Sequence, residues 1–207
     1  ICDNARYVGS TPMKVLFLDI DGVLNSTRSV LAKVGRLTSE SQDDAVNVLK
    51  GRFAIEDELP YGPSFTCLSI DQVAVGLVCR LLRKDADLRI VLSSTHRTHF
   101  CGDRYDGIQF GSVSHLYALN TYLAALGLPG DKLIDVTDRL HIPRGKEVKV
   151  WLDRHPEITH HCALDDGADF EPEDCNFVRT DPNIGLSDKN YFELCRHLDI
   201  NESTIIF

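Results

Sequence analysis

A short apolar run followed directly by two aspartates constrains the fold of this chain more than any other feature of its sequence. Residues 15–18 (VLFL) are all apolar, and residues 19–22 (DIDG) follow them without a spacer. A run with no polar position has no face for solvent, which is typical of a central strand in a parallel sheet. Asp19 and Asp21 then follow the carboxyl end of that strand, the edge at which parallel α/β domains bind ligands.

The same arrangement recurs at two further points along the chain. Each is an apolar run ending in a pair of polar residues: 90–92 before Ser93 and Ser94, and 162–164 before Asp165 and Asp166. The carboxyl ends of parallel strands meet at one edge of a sheet, so the three pairs are expected to share one site.

Helical patterns separate these runs. Apolar residues recur at three- and four-residue steps in four segments: 71–85, one that ends at Gly127, one around Trp151 and one after Ser187. Ser69 or Asp71 is expected to cap the first of these helices, and Ser187 the last. Two further strands are predicted at 133–136 and 176–178. The alternation predicts an α/β fold, a Rossmann-like parallel sheet with helices on both faces.

The chain of 207 residues has the length of one domain. Residues 24–68 fit the alternation poorly, and we interpret them as a small cap-like insert after the first strand. Residues 1–12 precede the single methionine, Met13, and are expected to be a remnant of expression or a disordered lead. The predicted domain is therefore 13–207 with its insert.

Charge and cysteine content narrow the class of protein. The formal net charge of −9 argues against broad, non-specific binding to nucleic acid or to an anionic membrane. No apolar run approaches the roughly 20 residues that span a bilayer. The seven cysteines are odd in number and form no CxxC pair, which favours reduced thiols and a cytoplasmic location.

Four carboxylates at one sheet edge would repel one another unless a cation lies between them. Oxygen-rich sites suit Mg²⁺, so Asp19, Asp21, Asp165 and Asp166 are candidate ligands for that ion. A DxD sequence alone is also common in solvated turns of acidic proteins. The agreement of three strand ends favours the metal site.

Four segments together resemble the haloacid dehalogenase-like (HAD) superfamily. They are 17–24 (FLDIDGVL), 90–97 (IVLSSTHR), 144–147 (RGKE) and 163–166 (ALDD) with Asp169 beyond. The order and spacing match over roughly 13–198. The sequence is similar in particular to small HAD domains of phage and bacterial origin, including those in RNA-repair proteins. His96 stands where those domains usually have Trp, and Lys146 where a neutral residue is expected. We expect His96 and Arg97 to lie near the mouth of the pocket.

The resemblance implies roles for the residues of the first and last motifs. Asp19 would be the nucleophile that forms an aspartyl-phosphate, and Asp21 would protonate the leaving group and then activate water. Asp19, Asp165 and Asp166 would bind Mg²⁺ with their carboxylates, and the main-chain carbonyl of Asp21 would also reach the ion.

The second and third motifs imply groups that hold the phosphate. Ser93 would donate a hydrogen bond to a phosphoryl oxygen, with Ser94 as the alternative. Lys146 or Arg144 would neutralise the transferring phosphoryl group, and Arg97 would contact the substrate. Ser93 and Ser94 have a plainer interpretation as turn caps, and Arg144 and Lys146 as surface cations.

These roles predict a Mg²⁺-dependent phosphomonoesterase. Its expected substrate is a nucleotide or another small phosphorylated metabolite. A 3′-phosphatase of nucleic-acid ends is the second enzyme that the motifs allow, and the net charge of −9 counts against it. The motifs are also compatible with a phosphotransferase and with a non-catalytic domain that binds a phosphate ligand. An intact Asp19–Asp21 pair argues against pure binding, which needs no nucleophile and acid.

Overall fold

Five parallel strands form a single sheet in the computed structural model, which describes residues 13–34, 70–97 and 121–202 except 122 and 168. The strands are β1 (Met13–Leu18), β2 (Leu88–Leu92), β3 (Leu133–Val136), β4 (Ile158–Asp165) and β5 (Phe177–Arg179). Their order across the sheet is β3-β2-β1-β4-β5, and each neighbouring pair is parallel. The predicted Rossmann-like sheet is confirmed.

The described helices pack on both faces of this sheet. They are α1 (Thr27–Val34), α2 (Gln72–Lys84), α3 (Arg144–Asp153) and α4 (Asp188–His197), with a 3₁₀ turn at Gly130–Lys132. Leu16 and Leu18 of β1 belong to a buried cluster that includes residues of α2 and α4. Phe17 lies on the opposite face and packs edge-on against Trp151 of α3 at 5.3 Å between ring centroids. The central strand is therefore buried on both sides, as its apolar sequence predicted.

Side-chain caps fix where two of the helices begin. The carboxylate of Asp71 accepts a hydrogen bond of 2.8 Å from the backbone N–H of Val73 at the start of α2. Ser187 and Asn190 form a reciprocal capping box at the start of α4. Capping by Asp71 and Ser187 is confirmed, because each residue satisfies an N–H that has no partner within the helix.

Parts of three predicted segments lie outside the described residues. These parts are the lead at 1–12, most of the insert at 24–68 and the beginning of the helix that ends at Gly127. Residues 123–125 of that helix are helical, and Gly127 follows with a φ of 95°. Among the described residues, no helix is both long enough and apolar enough to cross a membrane.

Candidate active site

The register of the sheet brings the ends of β1, β2 and β4 side by side. Leu18 pairs with Leu92 on one side and with Leu164 on the other. The hydrogen bonds continue one residue further, since Asp19 N donates to Leu164 O at 3.0 Å and Ser93 N donates to Leu18 O at 2.9 Å. The polar residues that follow these strands therefore share one edge, as predicted.

Three of the predicted carboxylates form a compact cluster at this edge. Asp19, Asp165 and Asp166 each offer an oxygen, and these oxygens lie within 4.8 Å of one another. Asp19 and Asp165 are buried, and Asp166 is partly exposed. Asp165 is also fixed by a hydrogen bond of 2.8 Å from the backbone N–H of Gly167 to its Oδ1.

The guanidinium of Arg144 lies between two members of this cluster. Its Nη1 is 2.7 Å from Oδ2 of Asp165 and 3.1 Å from Oδ2 of Asp19. The same nitrogen donates to the carbonyl of Ser93 at 2.8 Å. Arg144 is the first residue of α3, and its backbone N–H donates to Oδ2 of Asp169 at 2.7 Å. The first residue of α3 thus supplies a cation that contacts the ends of β1, β2 and β4.

The carboxylates of the cluster hold protons more tightly than aspartates in water. Burial, and then the neighbouring charge of Asp165, raises the pKa of Asp19 to about 7 despite the opposing effect of Arg144. Burial likewise raises the pKa values of Asp165 and Asp166. Burial alone would lower the pKa of Arg144, yet the charges of Asp19 and Asp165 raise it, so the guanidinium stays charged.

The donor set fits a hard divalent cation. Carboxylate oxygens are the ligands that Mg²⁺ prefers, and burial raises the pKa values of these aspartates, so a bound cation would stabilise their ionised forms. Gly22 allows the close packing at this point. It has a φ of 69°, and a Cβ there would lie 2.8 Å from the Cβ of Asp166.

The two serines after β2 have different surroundings. The side chain of Ser94 forms a hydrogen bond with Asp19, which lowers the pKa of that aspartate in opposition to burial. The hydroxyl of Ser93 accepts a hydrogen bond of 3.5 Å from Thr137, at the limit of a hydrogen bond. Both serines are buried. The structure therefore places both residues at the site but brings the hydroxyl of Ser94 to the predicted nucleophile.

Lys146, predicted as an alternative to Arg144, is directed to another acidic residue. Its Nζ lies 3.1 Å from Oδ1 of the buried Asp174, and its side chain is 51% exposed. Its catalytic role stays a prediction, whereas Arg144 is in direct contact with Asp19.

Asp21 lies beside the cluster, with a partner for each carboxylate oxygen. Asn25 Nδ2 donates to Oδ1 at 2.8 Å, and Nε2 of His96 lies 2.8 Å from Oδ2. The predicted position of His96 at the mouth of the pocket was wrong, because its side chain is 1% exposed. The one sequence feature that marked His96 as unusual was its place in the second motif, where related domains usually have Trp.

Arg97 is also buried rather than at the pocket mouth. Its Nη2 lies 2.6 Å from Oε2 of Glu147, and its Nη1 donates to the carbonyl of Ser94 at 2.9 Å. The other oxygen of Glu147 accepts from the backbone N–H of Leu140 at 2.7 Å. This buried ion pair ties α3 to the turn after β2. Sequence reasoning missed Glu147, and the predicted contact of Arg97 with substrate stays a prediction.

The parallel α/β sheet carries an aspartate cluster and an arginine at its carboxyl edge, an arrangement that agrees with the resemblance to HAD-like domains. The family described as the HAD domain in Swiss Army Knife RNA repair proteins matches residues 15–191. The chain belongs to that family, and the resemblance drawn from the motifs is confirmed.

Solved structures similar to this chain come from Legionella pneumophila. The HAD domain of the effector protein Lem4 has 14% sequence identity and a TM-score of 0.43, and the match covers 90% of this chain and 96% of that one. The effector Ceg4 has 13% identity and a TM-score of 0.43, with 95% and 99% covered. A comparison with curated proteins gave no match. The family is assigned from the match over residues 15–191 alone, and not from the similarity to these solved structures.

Proposed function

We propose that this chain is a Mg²⁺-dependent phosphomonoesterase that acts through an aspartyl-phosphate at Asp19. The observation that carries the proposal is the position of Arg144, whose Nη1 is within 3.1 Å of both Asp19 and Asp165. A cation beside a buried carboxylate nucleophile offsets the repulsion between that carboxylate and a phosphoryl group. A solvated turn does not need a partly buried arginine between two buried aspartates.

Two aspartates share the chemistry in this proposal. An Oδ atom of Asp19 attacks phosphorus, the bond to the leaving oxygen breaks, and the carboxyl of Asp21 gives its proton to that oxygen. The Asp21 carboxylate then takes a proton from water while the water oxygen attacks phosphorus and the Asp19–phosphorus bond breaks. Arg144 neutralises the charge on the phosphoryl oxygens, and Ser94, with Ser93 beside it, orients them by hydrogen bonding.

The metal site of the proposal uses residues of the same edge. Asp19, Asp165 and Asp166 would hold Mg²⁺ with their carboxylates, together with the main-chain carbonyl of Asp21. The ion would offset the charge between carboxylates and phosphate. Without the ion, Asp19 is expected to be partly protonated near neutral pH because its pKa is raised to about 7, and burial also raises the pKa values of Asp165 and Asp166.

The proposed substrate is a nucleotide or another small phosphorylated metabolite. The net charge of −9 supports a small substrate over a long polyanion, which needs a basic track. A second candidate is a 3′-phosphatase of nucleic-acid ends, and the family's occurrence in RNA repair proteins favours it. A non-catalytic phosphate-binding domain is the third candidate. The free thiols of Cys79, Cys162, Cys175 and Cys195 support a reducing, cytoplasmic setting.

Phosphate release from a substrate panel tests the proposal. The panel contains nucleotides, sugar phosphates and 3′-phosphorylated oligonucleotides, each with Mg²⁺ and with chelator. Asp19→Asn is the inactive reference, and Asp153→Asn is the matched control because that carboxylate is 64% exposed and remote from the cluster. We expect Mg²⁺-dependent release that Asp19→Asn abolishes and Asp153→Asn leaves unchanged. Folded wild type without release on any substrate would favour the non-catalytic binding domain.

A further inference from the structure

The contact between His96 and Asp21 joins two of the strand ends by a part-buried hydrogen bond. Nε2 of His96 lies 2.8 Å from Oδ2 of Asp21, and the histidine side chain is 1% exposed. The backbone N–H of His96 donates to Oγ of Ser94 at 3.3 Å, which fixes the main chain that carries the imidazole. The Asp21 side chain is 32% exposed, and a hydrogen bond that is partly shielded from water holds its acceptor in place more strongly than a fully exposed one.

Asn25 completes the arrangement on the other oxygen of Asp21. Its Nδ2 donates to Oδ1 at 2.8 Å, while its own Oδ1 accepts from the backbone N–H of Gly22 at 2.9 Å. With Nε2 of His96 protonated, each oxygen of Asp21 accepts a hydrogen bond, and the plane of the carboxyl group is fixed. A side chain that gives a proton to a leaving oxygen and later takes one from water must keep a fixed orientation toward both.

We propose that His96 is the positioning residue of Asp21, with its Nε2–H donating to Oδ2. The inference depends on the proposed phosphatase activity and adds a residue that the motif roles do not include. His96 transfers no proton to substrate. It holds the Asp21 carboxyl group where that group protonates the leaving oxygen as the Asp19–phosphorus bond forms, and where it later deprotonates water as that bond breaks.

Substrates with different leaving groups distinguish a positioning role of His96 from a merely structural one. An alkoxide needs a proton from Asp21 to depart, whereas a nitrophenolate departs without one. The value of kcat/KM reports the steps up to aspartyl-phosphate formation, so it depends on the acid only for the alkoxide. Hydrolysis of the aspartyl-phosphate needs Asp21 as the base, whichever ester formed the intermediate. Damage to folding, in contrast, lowers kcat/KM equally for both.

The experiment compares 4-nitrobenzyl phosphate with 4-nitrophenyl phosphate, which have nearly the same size but different leaving groups. We expect His96→Phe to lower kcat/KM for the benzyl ester by about ten- to a hundredfold, the value of a hydrogen bond to a charged group. For the phenyl ester, kcat and KM should fall together, so that kcat/KM changes by less than about threefold. Borohydride-trapped aspartyl-phosphate should accumulate with the phenyl ester.

Two smaller variants keep the test valid if His96→Phe does not fold. The amide nitrogen of Gln reaches the position of Nε2, and that of Asn is too short. His96→Gln should therefore restore most of kcat/KM for the benzyl ester, and His96→Asn should not. Asp21→Asn is the reference and should show the same dependence on the leaving group in a stronger form.

Each result has a defined meaning. Equal losses on both esters, no loss, or equal behaviour of the Gln and Asn variants would overturn the role of His96 while leaving the phosphatase intact. Asp21→Asn without a leaving-group effect would overturn it too. Wild type that releases phosphate from neither ester, with Mg²⁺ present, would count against the phosphatase itself and the inference with it.

Discussion

Nη1 of Arg144 lies 3.1 Å from Oδ2 of Asp19, although the two residues are far apart in the chain. Asp19 is placed by β1 and Arg144 by the start of α3, whose first N–H is held by Asp169. The ion pair therefore depends on the relative position of a strand and a helix. It also gives the candidate nucleophile a cation before any substrate arrives.

Arg144 and Lys146 should differ in their effect on activity. Arg144→Gln removes the cation beside Asp19, and we expect kcat for the best substrate to fall about 10²-fold or more, as when a transition-state donor is lost. Lys146→Gln removes a half-exposed cation that contacts Asp174, and kcat should stay within about fivefold. Steady-state kinetics of both variants with Mg²⁺ gives the comparison. The opposite ranking would assign the active-site cation to Lys146.

Mg²⁺ should stabilise the protein more at pH 8 than at pH 5. The pKa of Asp19 is raised from 3.8 to about 7, so between these values the folded protein binds a proton that the unfolded chain has lost. The free energy of unfolding without metal therefore falls as the pH rises from about 4 to 7 and stays low above that range. Aspartate ligands must be ionised to bind Mg²⁺, so the ion binds best above about pH 7, where Asp19 has lost its proton.

Thermal melts with Mg²⁺ and with chelator measure this effect. At a Mg²⁺ concentration of 100 Kd, linkage gives about 2.7 kcal/mol of added stability. Asp19→Asn cannot ionise at this position, so its metal-free stability should depend less on pH than that of the wild type. A Mg²⁺ shift of equal size at both pH values would show that these aspartates are not its ligands.

Gly22 should be intolerant of a methyl group, and Gly76 should accept one. Gly22→Ala forces a left-handed conformation that costs about 1–2 kcal/mol and places a Cβ against Asp166. We expect lower stability and weaker Mg²⁺ binding. Gly76 of α2 has no atom within 4 Å of an added Cβ, so Gly76→Ala should stabilise the helix by about 0.5–1 kcal/mol. Unfolding curves and Mg²⁺ titrations of both variants test this, and unchanged Mg²⁺ affinity in Gly22→Ala would contradict it.

The Arg97–Glu147 pair should contribute to stability. Both side chains are at most 5% exposed, so removal of one partner leaves a buried charge. Arg97→Met or Glu147→Met should lower the free energy of unfolding by about 3–5 kcal/mol. A urea-denaturation cycle with the Arg97→Met/Glu147→Met double variant should recover part of the loss. Normal stability of Arg97→Met with a raised KM would instead support the predicted contact with substrate.

Strand positions and the acidic cluster could be predicted from the sequence because both depend on local patterns. A run that is apolar on both faces specifies a central strand, and the residue after it must lie at the sheet edge. Asp19, Asp165 and Asp166 follow from this rule alone. The capping residues Asp71 and Ser187 are equally local, since each bonds an N–H two or three residues away.

The choice between neighbouring residues could not be predicted in the same way. Arg144 and Lys146 are two positions apart on one helix, so their side chains differ in direction by about 200°, and only the packing of α3 decides which faces Asp19. His96 and Arg97 were misplaced because their acidic partners, Asp21 and Glu147, are 75 and 50 residues away. No local pattern encodes such contacts.

Chemical trapping of the intermediate at Asp19 tests the central claim most directly. Wild type is quenched during turnover of its best substrate with borohydride, which reduces an aspartyl-phosphate to homoserine, and position 19 is read by mass spectrometry. We predict homoserine at position 19 in the presence of substrate and Mg²⁺, and unmodified aspartate with chelator. Steady release of phosphate that Asp19→Asn retains, with no modification at position 19, would contradict the account.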